Sequence, residues 1–301
     1  MLGVAAGDSA GGAWELGYSA VTEQVTVIAY QLIERRALDI PDLVRRIREL
    51  DGSEDGEPVY RSETPHFRAW LDRAAAGTPV PEYDPSLDGV ARAVPLGVMF
   101  RNDPAAVVAQ SIALGRLFAA DSGSIAAGVI AAAAVAASCF GQSGRDLLAG
   151  VKEAITPSLR QIANEAENGA RLDSLPDEFD NAIETVGAIA GGAAPARVAN
   201  NSDDPLQAIM AGLVLAASSP ERHHVAVEQA ARIGGSVLGA AVGGMVGARL
   251  GILGWPWAFA NDTWFAEIGR RVVRGPDETR DLPIPYAVEQ HLMTGTRPGF
   301  H

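Results

Sequence analysis

The sequence predicts an all-α protein folded as one compact domain, and three observations lead there. Of its 301 residues, 48% are hydrophobic but only 6% are aromatic, so the core must be built from Ala, Val, Leu, Ile and Gly, which suits closely packed helices. Apolar residues recur at helical spacing along most of the chain, and no run alternates apolar and polar residues as a half-buried strand does. No internal repeat is visible, and the Pro/Gly-rich stretches are too short to separate independent cores, so residues 1–301 read as a single domain.

The first strong helix runs from Thr22 to Arg36, where Val25, Ile28, Ala29, Leu32 and Ile33 share one face and Thr22 is an ordinary N-cap residue. A second follows Pro41, with proline in its favoured first turn. Residues 51–64 are polar, acidic and glycine-bearing, and read as loop. Another helix spans Pro65 to Ala76 and stops before Gly77-Thr78-Pro79; residues 77–89, with three prolines, read as a long loop. Beyond Asp103-Pro104 the chain reads as helices over 104–120, 122–140, 143–169, 177–191, 204–218, 221–249 with a break near Gly234, and 260–274. The tail, residues 275–301, carries four prolines and is expected to wrap the surface. Gly235, Gly239, Gly243 and Gly247 line one helix face. Each costs roughly 1 kcal/mol in helix propensity relative to alanine, so close packing of a central helix must compensate.

Charge and composition exclude several function classes. With 37 acidic against 24 basic residues the net charge is -13, which repels phosphate backbones and argues against a nucleic-acid partner. The basic cluster Arg45-Arg46-Ile47-Arg48 reads as the solvated face of a helix. The single cysteine, Cys139, excludes an intramolecular disulfide and a cysteine-based zinc site, and its alanine-rich setting marks it as inert packing. Residues 122–144 and 233–248 are uncharged, but they are dominated by Ala, Gly and Ser, too weakly apolar for a spanning helix that needs about 20 strongly apolar residues. They read as core helices, not membrane spans. Without a signal-peptide pattern the chain is expected to be cytoplasmic. His223-His224 lack metal-ligand spacing and read as surface residues, and no nucleophile elbow or phosphate-binding P-loop occurs.

Chemistry-bearing residues occur in five segments. Leu2-Gly3 through Gly7-Asp8 and Gly11-Gly12 to Trp14-Glu15 places two carboxylates, Asp8 and Glu15, on adjacent helical turns separated by glycines. Thr22-Glu23-Gln24-Val25 opens the first strong helix, and Leu87-Asp88-Gly89-Val90-Ala91-Arg92-Ala93-Val94-Pro95-Leu96-Gly97 follows the proline-rich loop. Ala120-Asp121 heads the alanine-rich helix, and Gly234-Gly235-Ser236-Val237-Leu238-Gly239 opens the glycine-striped one, followed by Gly254-Trp255-Pro256-Trp257. In this order and spacing, the segments resemble the ADP-ribosylglycohydrolase family, the dinitrogenase-reductase-activating glycohydrolases and their relatives, over nearly residues 1–272. The resemblance implies a compact single-domain orthogonal helical bundle. It also implies an activity, hydrolysis of N- or O-glycosidic links to ADP-ribose at two magnesium ions.

The same segments depart from the family pattern where the metals would sit. A family Gly-Gly-Asp-Thr-Asp-Thr stretch here carries Ser236 and Leu238 at its acidic positions, and a family Thr-Asp-Asp-Thr stretch reads Thr22-Glu23-Gln24-Val25. Magnesium demands octahedral oxygen coordination, mostly from carboxylates and water, so no metal site and no cofactor are expected. Glu15 inherits the candidacy of a family glutamate near the ribose, or is an exposed acid. Only six residues separate it from Thr22, where the family usually inserts a long loop, so the cleft should be open on that side. Arg92 beside a glycine turn suits a phosphate, or else ties down the preceding loop. Asp121, where the family has Thr-His, is an N-cap or faces ligand.

The expected function is that of a pseudoenzyme. Its inherited cleft, lined by Glu15, Thr22, Glu23, Arg92 and Ser236 with Asp8, Gln24 and Asp121 nearby, would bind a nucleotide-like small molecule or a protein partner, in a monomer or a homo-oligomer. The alternative is a repurposed, metal-independent hydrolase or transferase using Glu15 or Glu23 as general base. An active ADP-ribosyl hydrolase with a rebuilt metal site ranks last.

Overall fold

The structure, a computed structural model, describes residues 1–11, 18–51, 64–76, 84–192, 204–219, 222–251, 255 and 262–274. The expected surface tail, Glu15, residues 52–63 of the expected 51–64 loop and Trp257 lie outside these residues. The helices are α1 (Leu2–Ala10), α2 (Ala20–Arg35), α3 (Ile40–Asp51), α4 (Pro65–Ala75), α5 (Asp88–Arg92), α6 (Val94–Met99) and α7 (Pro104–Phe118). They continue with α8 (Ser122–Cys139), α9 (Gly144–Ile155), α10 (Leu159–Glu165), α11 (Leu175–Ala190), α12 (Pro205–Ser218), α13 (His223–Leu250) and α14 (Asp262–Arg274). Among the described residues there is no strand, only an isolated bridge between Asp121 and Glu167. The all-α class is as the composition and periodicity require.

Local chemistry places most helix starts. The side chains of Ser19, Thr64, Asp103, Asp121 and Asp204 accept hydrogen bonds from the first-turn amides of α2, α4, α7, α8 and α12, satisfying donors that a helix N-terminus otherwise leaves bare. Pro65, Pro104 and Pro205 occupy first-turn positions, where the missing N–H costs nothing. The cap of α2 is Ser19, not Thr22, which sits inside the first turn.

Two stretches differ from the sequence reading. The expected helix over 143–169 is divided into α9, a 3-10 turn at Thr156–Ser158 and α10, followed by Asn168 in the left-handed region at φ 58°. Pro157 lies in that turn, and proline cannot donate to the helical ladder. Beyond α10 the backbone of Glu167 leaves the helical path to pair with Ala120 and Ser122. Conversely, α5 and α6 form in a stretch where no helix was expected. They are too short to show a period or to be stable alone, and are held by burial of Val90, Ala91, Val94 and Leu96.

The centre of the bundle is α8, buried along nearly its whole length and surrounded by α5, α6, α7, α9, α12 and α13. Alanine dominates its surface, so neighbours approach closely. A second cluster joins α2, α3, α4 and α7 through Ile28, Leu32, Phe67, Trp70 and Phe118. A third seats Trp264, Phe265, Ile268 and Val272 of α14 against α1 and α2. By length and composition alone α8 and α13 could cross a membrane, yet both lie largely buried among other helices.

The tightest contact lies between α1 and the second half of α13. The expected break is at Gly234 (φ -134°, ψ 26°) and Gly235 (φ 63°, ψ -160°), and only glycine adopts the latter geometry readily. After it, α13 runs antiparallel to α1 with backbone against backbone. A Cβ on Gly7 would stand 1.8 Å from the carbonyl oxygen of Gly239, and one on Gly3 would stand 2.0 Å from that of Gly243. Of the stripe expected on α13, Gly239, Gly243 and Gly247 therefore have their partners in Gly3 and Gly7 of α1, whereas Gly235 lies at the break, off the helical face, because its backbone is left-handed there.

Gly7→Ala is expected to lower stability in urea unfolding by about 3 kcal/mol or more, because neither backbone can move aside. Gly89→Ala in α5, where an added Cβ would meet nothing within 4 Å, is the control and should be neutral or stabilise by up to about 1 kcal/mol.

Candidate functional site

The ends of α1 and α5, the start of α2 and the break in α13 converge on one region. The glycine contact sets its geometry: it holds the last turn of α1 beside Ser236, so closely that a Cβ on Gly11 would stand 2.4 Å from the Ser236 amide nitrogen. The Ser236 hydroxyl donates to the Asp8 carbonyl at 3.2 Å.

Asp8 is fully buried and its carboxylate accepts four hydrogen bonds. Oδ2 takes the Ser19 amide at 2.8 Å, the Thr22 amide at 3.1 Å and the Thr22 hydroxyl at 2.7 Å, while Oδ1 takes the Ser19 hydroxyl at 2.8 Å. One helix thus caps the N-terminus of another. Burial pushes the Asp8 carboxyl above its ordinary range, and the hydrogen bonds from Thr22 and Ser19 pull against that shift. Thr22, Glu23 and Gln24, the first-turn residues of α2, are all buried.

Gln24 is joined to Arg92 of α5. The guanidinium Nε donates to Gln24 Oε1 at 2.6 Å, and an Arg92 terminal nitrogen lies 3.6 Å from the Asp88 carboxylate. The guanidinium carbon sits 4.1 Å from the centroid of Phe118 and 4.9 Å from that of Phe67. A buried cation needs such compensation, and here it comes from an amide oxygen, a carboxylate and two aromatic faces. Asp88 in turn accepts from the Thr64 hydroxyl, so the start of α4 is fastened to the same group. Through Asp88, Arg92 is thus linked to the start of α4; most of the loop that precedes α5 lies outside the described residues.

Asp121 caps α8, the other structural alternative raised by the sequence. Its Oδ2 accepts the Ser124 amide at 2.8 Å and the Ser124 hydroxyl at 3.0 Å, and its Oδ1 accepts Asn168 Nδ2 at 3.0 Å. The structure therefore groups Asp8, Thr22 and Ser236, joins Gln24 to Arg92, and spends Asp121 on its own helix and on Asn168. Glu15 lies outside the described residues. His223 and His224 are half-buried, with His223 edge-on to Trp255 at 5.4 Å between ring centroids, so the expected surface location holds only in part. Sequence reasoning missed Ser19, Asn168 and the aromatic pair around Arg92. Ser19 alone carried a readable signal, being a good cap residue just ahead of the helix.

The sequence matches the ADP-ribosylglycohydrolase family over residues 1–281. The chain belongs to that family. Among curated proteins, none matches it significantly. This ADP-ribosylglycohydrolase family member can be tested for its fit to two magnesium ions. The Thr22 hydroxyl proton is directed to Asp8, and the Ser236 hydroxyl to a main-chain oxygen. Gln24 Oε1 is bound to a guanidinium, which also places positive charge where a second cation would be repelled. Leu238 is buried in the core, near Gly212 and Gly234. Among the described residues no group of three or more His, Cys, Asp or Glu side chains is gathered as a metal site. These residues do not fit a dinuclear magnesium centre, which needs several anionic oxygens around each ion.

Two substitutions test the construction of the site. Thr22→Val keeps the shape but removes one donor to a buried carboxylate, and should lower unfolding stability by about 1–3 kcal/mol. Arg92→Lys should cost about 2 kcal/mol in the same measurement, because an ammonium loses both the Nε hydrogen bond and the planar stacking between aromatic rings.

Proposed function

We propose that this ADP-ribosylglycohydrolase-family protein binds a nucleotide-like small molecule such as ADP-ribose in the inherited cleft, without a magnesium pair and without hydrolysing it. The observation that carries the reading is the Gln24–Arg92 hydrogen bond of 2.6 Å, which puts a fixed guanidinium beside the α2 turn where the family holds metal. Catalysis by the family chemistry needs metal to polarise the ribose or its attacking water, and a guanidinium does neither. From its buried position it does add positive potential that favours a diphosphate, tempered by Asp88 at 3.6 Å. Gly89 leaves space next to it, since a Cβ there would meet nothing within 4 Å. The acidic net charge of -13 accords with a cytoplasmic protein that has no nucleic-acid or membrane partner.

Isothermal titration with ADP-ribose should give the same affinity in magnesium and in EDTA, and incubation with ADP-ribosylated arginine peptide should release no ADP-ribose. Magnesium-dependent release would overturn the proposal. A second reading rests on Glu23, almost fully buried at 3% exposure, as the general base of a metal-free hydrolase. If the wild type hydrolyses the peptide in EDTA, loss of that rate with retained binding in Glu23→Gln or Glu15→Gln would establish this second reading in place of the first.

A further inference from the structure

A cavity of about 530 Å³ opens at the opposite end of the central helix, between the last turns of α8, the start of α7, and α9. Its floor lies roughly 22 Å along α8 from Asp121, at 1.5 Å per residue, so it is separate from the cleft discussed above. Its volume falls within the roughly 300–1,000 Å³ of small-molecule sites.

The walls are apolar and short. Val108 of α7, Ala133, Ala136 and Ala137 of α8 and Ala154 of α9 leave the space open because none reaches across it. Phe140 at the rim is 61% exposed, an unusual position for a large aromatic side chain.

Two polar features break the apolar lining. Gln142 Oε1 is buried and has no hydrogen-bond partner among the described residues. Its seat is kept open by Gly150, where a Cβ would stand 2.7 Å from that oxygen. A buried acceptor without a donor is costly, and a ligand bringing an N–H or O–H removes the cost. The second feature is Arg101, half-exposed, which donates to the Val98 carbonyl at 3.0 Å and forms no ion pair with a carboxylate among the described residues. Glu153, also on the lining, is exposed.

We propose that this cavity is a binding site for a small amphipathic monoanion. Its apolar body packs on the alanine and valine walls and Phe140. The Gln142 carboxamide turns to bring its unpartnered Oε1 to an N–H or O–H of the ligand, and a carboxylate-like head pairs with Arg101. Glu153 limits the head to a single negative charge, because a second would be repelled.

The probe is 1-anilinonaphthalene-8-sulfonate, which combines an aromatic body, one N–H and one anionic group, followed by fluorescence titration of the full chain. Saturable binding at one site per chain is expected, with affinity weakened about tenfold or more by Arg101→Gln. Ala137→Phe, which fills the space, should abolish binding; circular dichroism and thermal unfolding establish that it is folded. Should that variant fail to fold, Gly150→Ala, which displaces the Gln142 carboxamide, takes its place and should weaken binding. ADP-ribose should not displace the dye. A non-saturating signal, displacement by ADP-ribose, or wild-type affinity in Arg101→Gln or in a folded cavity variant would overturn the proposal.

Discussion

Backbone contact between α1 and the second half of α13 is the constraint on which the rest of the molecule depends. Gly3 and Gly7 face Gly243 and Gly239 with no side chain between them, and a methyl at any of these positions would overlap a main-chain carbonyl. The arrangement sacrifices helix propensity, roughly 1 kcal/mol per glycine, for dispersion contact over two whole turns. It also fixes where α1 ends. Because the helices lock in register, the last turn of α1 arrives at the break in α13, and Asp8 and Ser236 become neighbours although 228 residues separate them.

That placement determines how the polar groups of the site are used. A carboxylate buried at the end of α1 needs donors, and the amides and hydroxyls at the start of α2 supply four. Asp8 is consequently a joint between helices and not a free acid facing ligand. The α5–α2 side follows the same logic with opposite charge: Arg92 enters the interior only because Gln24, Asp88, Phe67 and Phe118 surround it. A guanidinium of the chain itself therefore lies buried beside the first turns of α2.

The central helix α8 separates two kinds of chemistry. At its N-terminus, Asp121, Ser122, Ser124 and Asn168 are joined by hydrogen bonds, and the Ser124 hydroxyl also accepts the Ser86 amide. At its C-terminus, small side chains leave a space beside an acceptor that has no donor, and an arginine that forms no ion pair, among the described residues. The first arrangement stabilises the fold, and the second is chemically incomplete.

Much of this was legible in the sequence, because local physics controls it. The low aromatic content, the helical apolar period, first-turn prolines such as Pro65, Pro104 and Pro205, and the double glycine at 234–235 fix the class, most helix boundaries and the break in α13. Motif order was enough to identify the family. Other features depend on what meets across the fold. The pairing of the α13 glycines with Gly3 and Gly7, the use of Asp8 as a cap for α2, the aromatic faces around Arg92 and the folding of α5 and α6 all rest on residues far apart in the chain. A single sequence records which side chains are present and their spacing along one helix; which donor finds which acceptor is decided only when the helices are brought into register, since hydrogen bonds and close packing act over a few ångströms and have no signature along the chain.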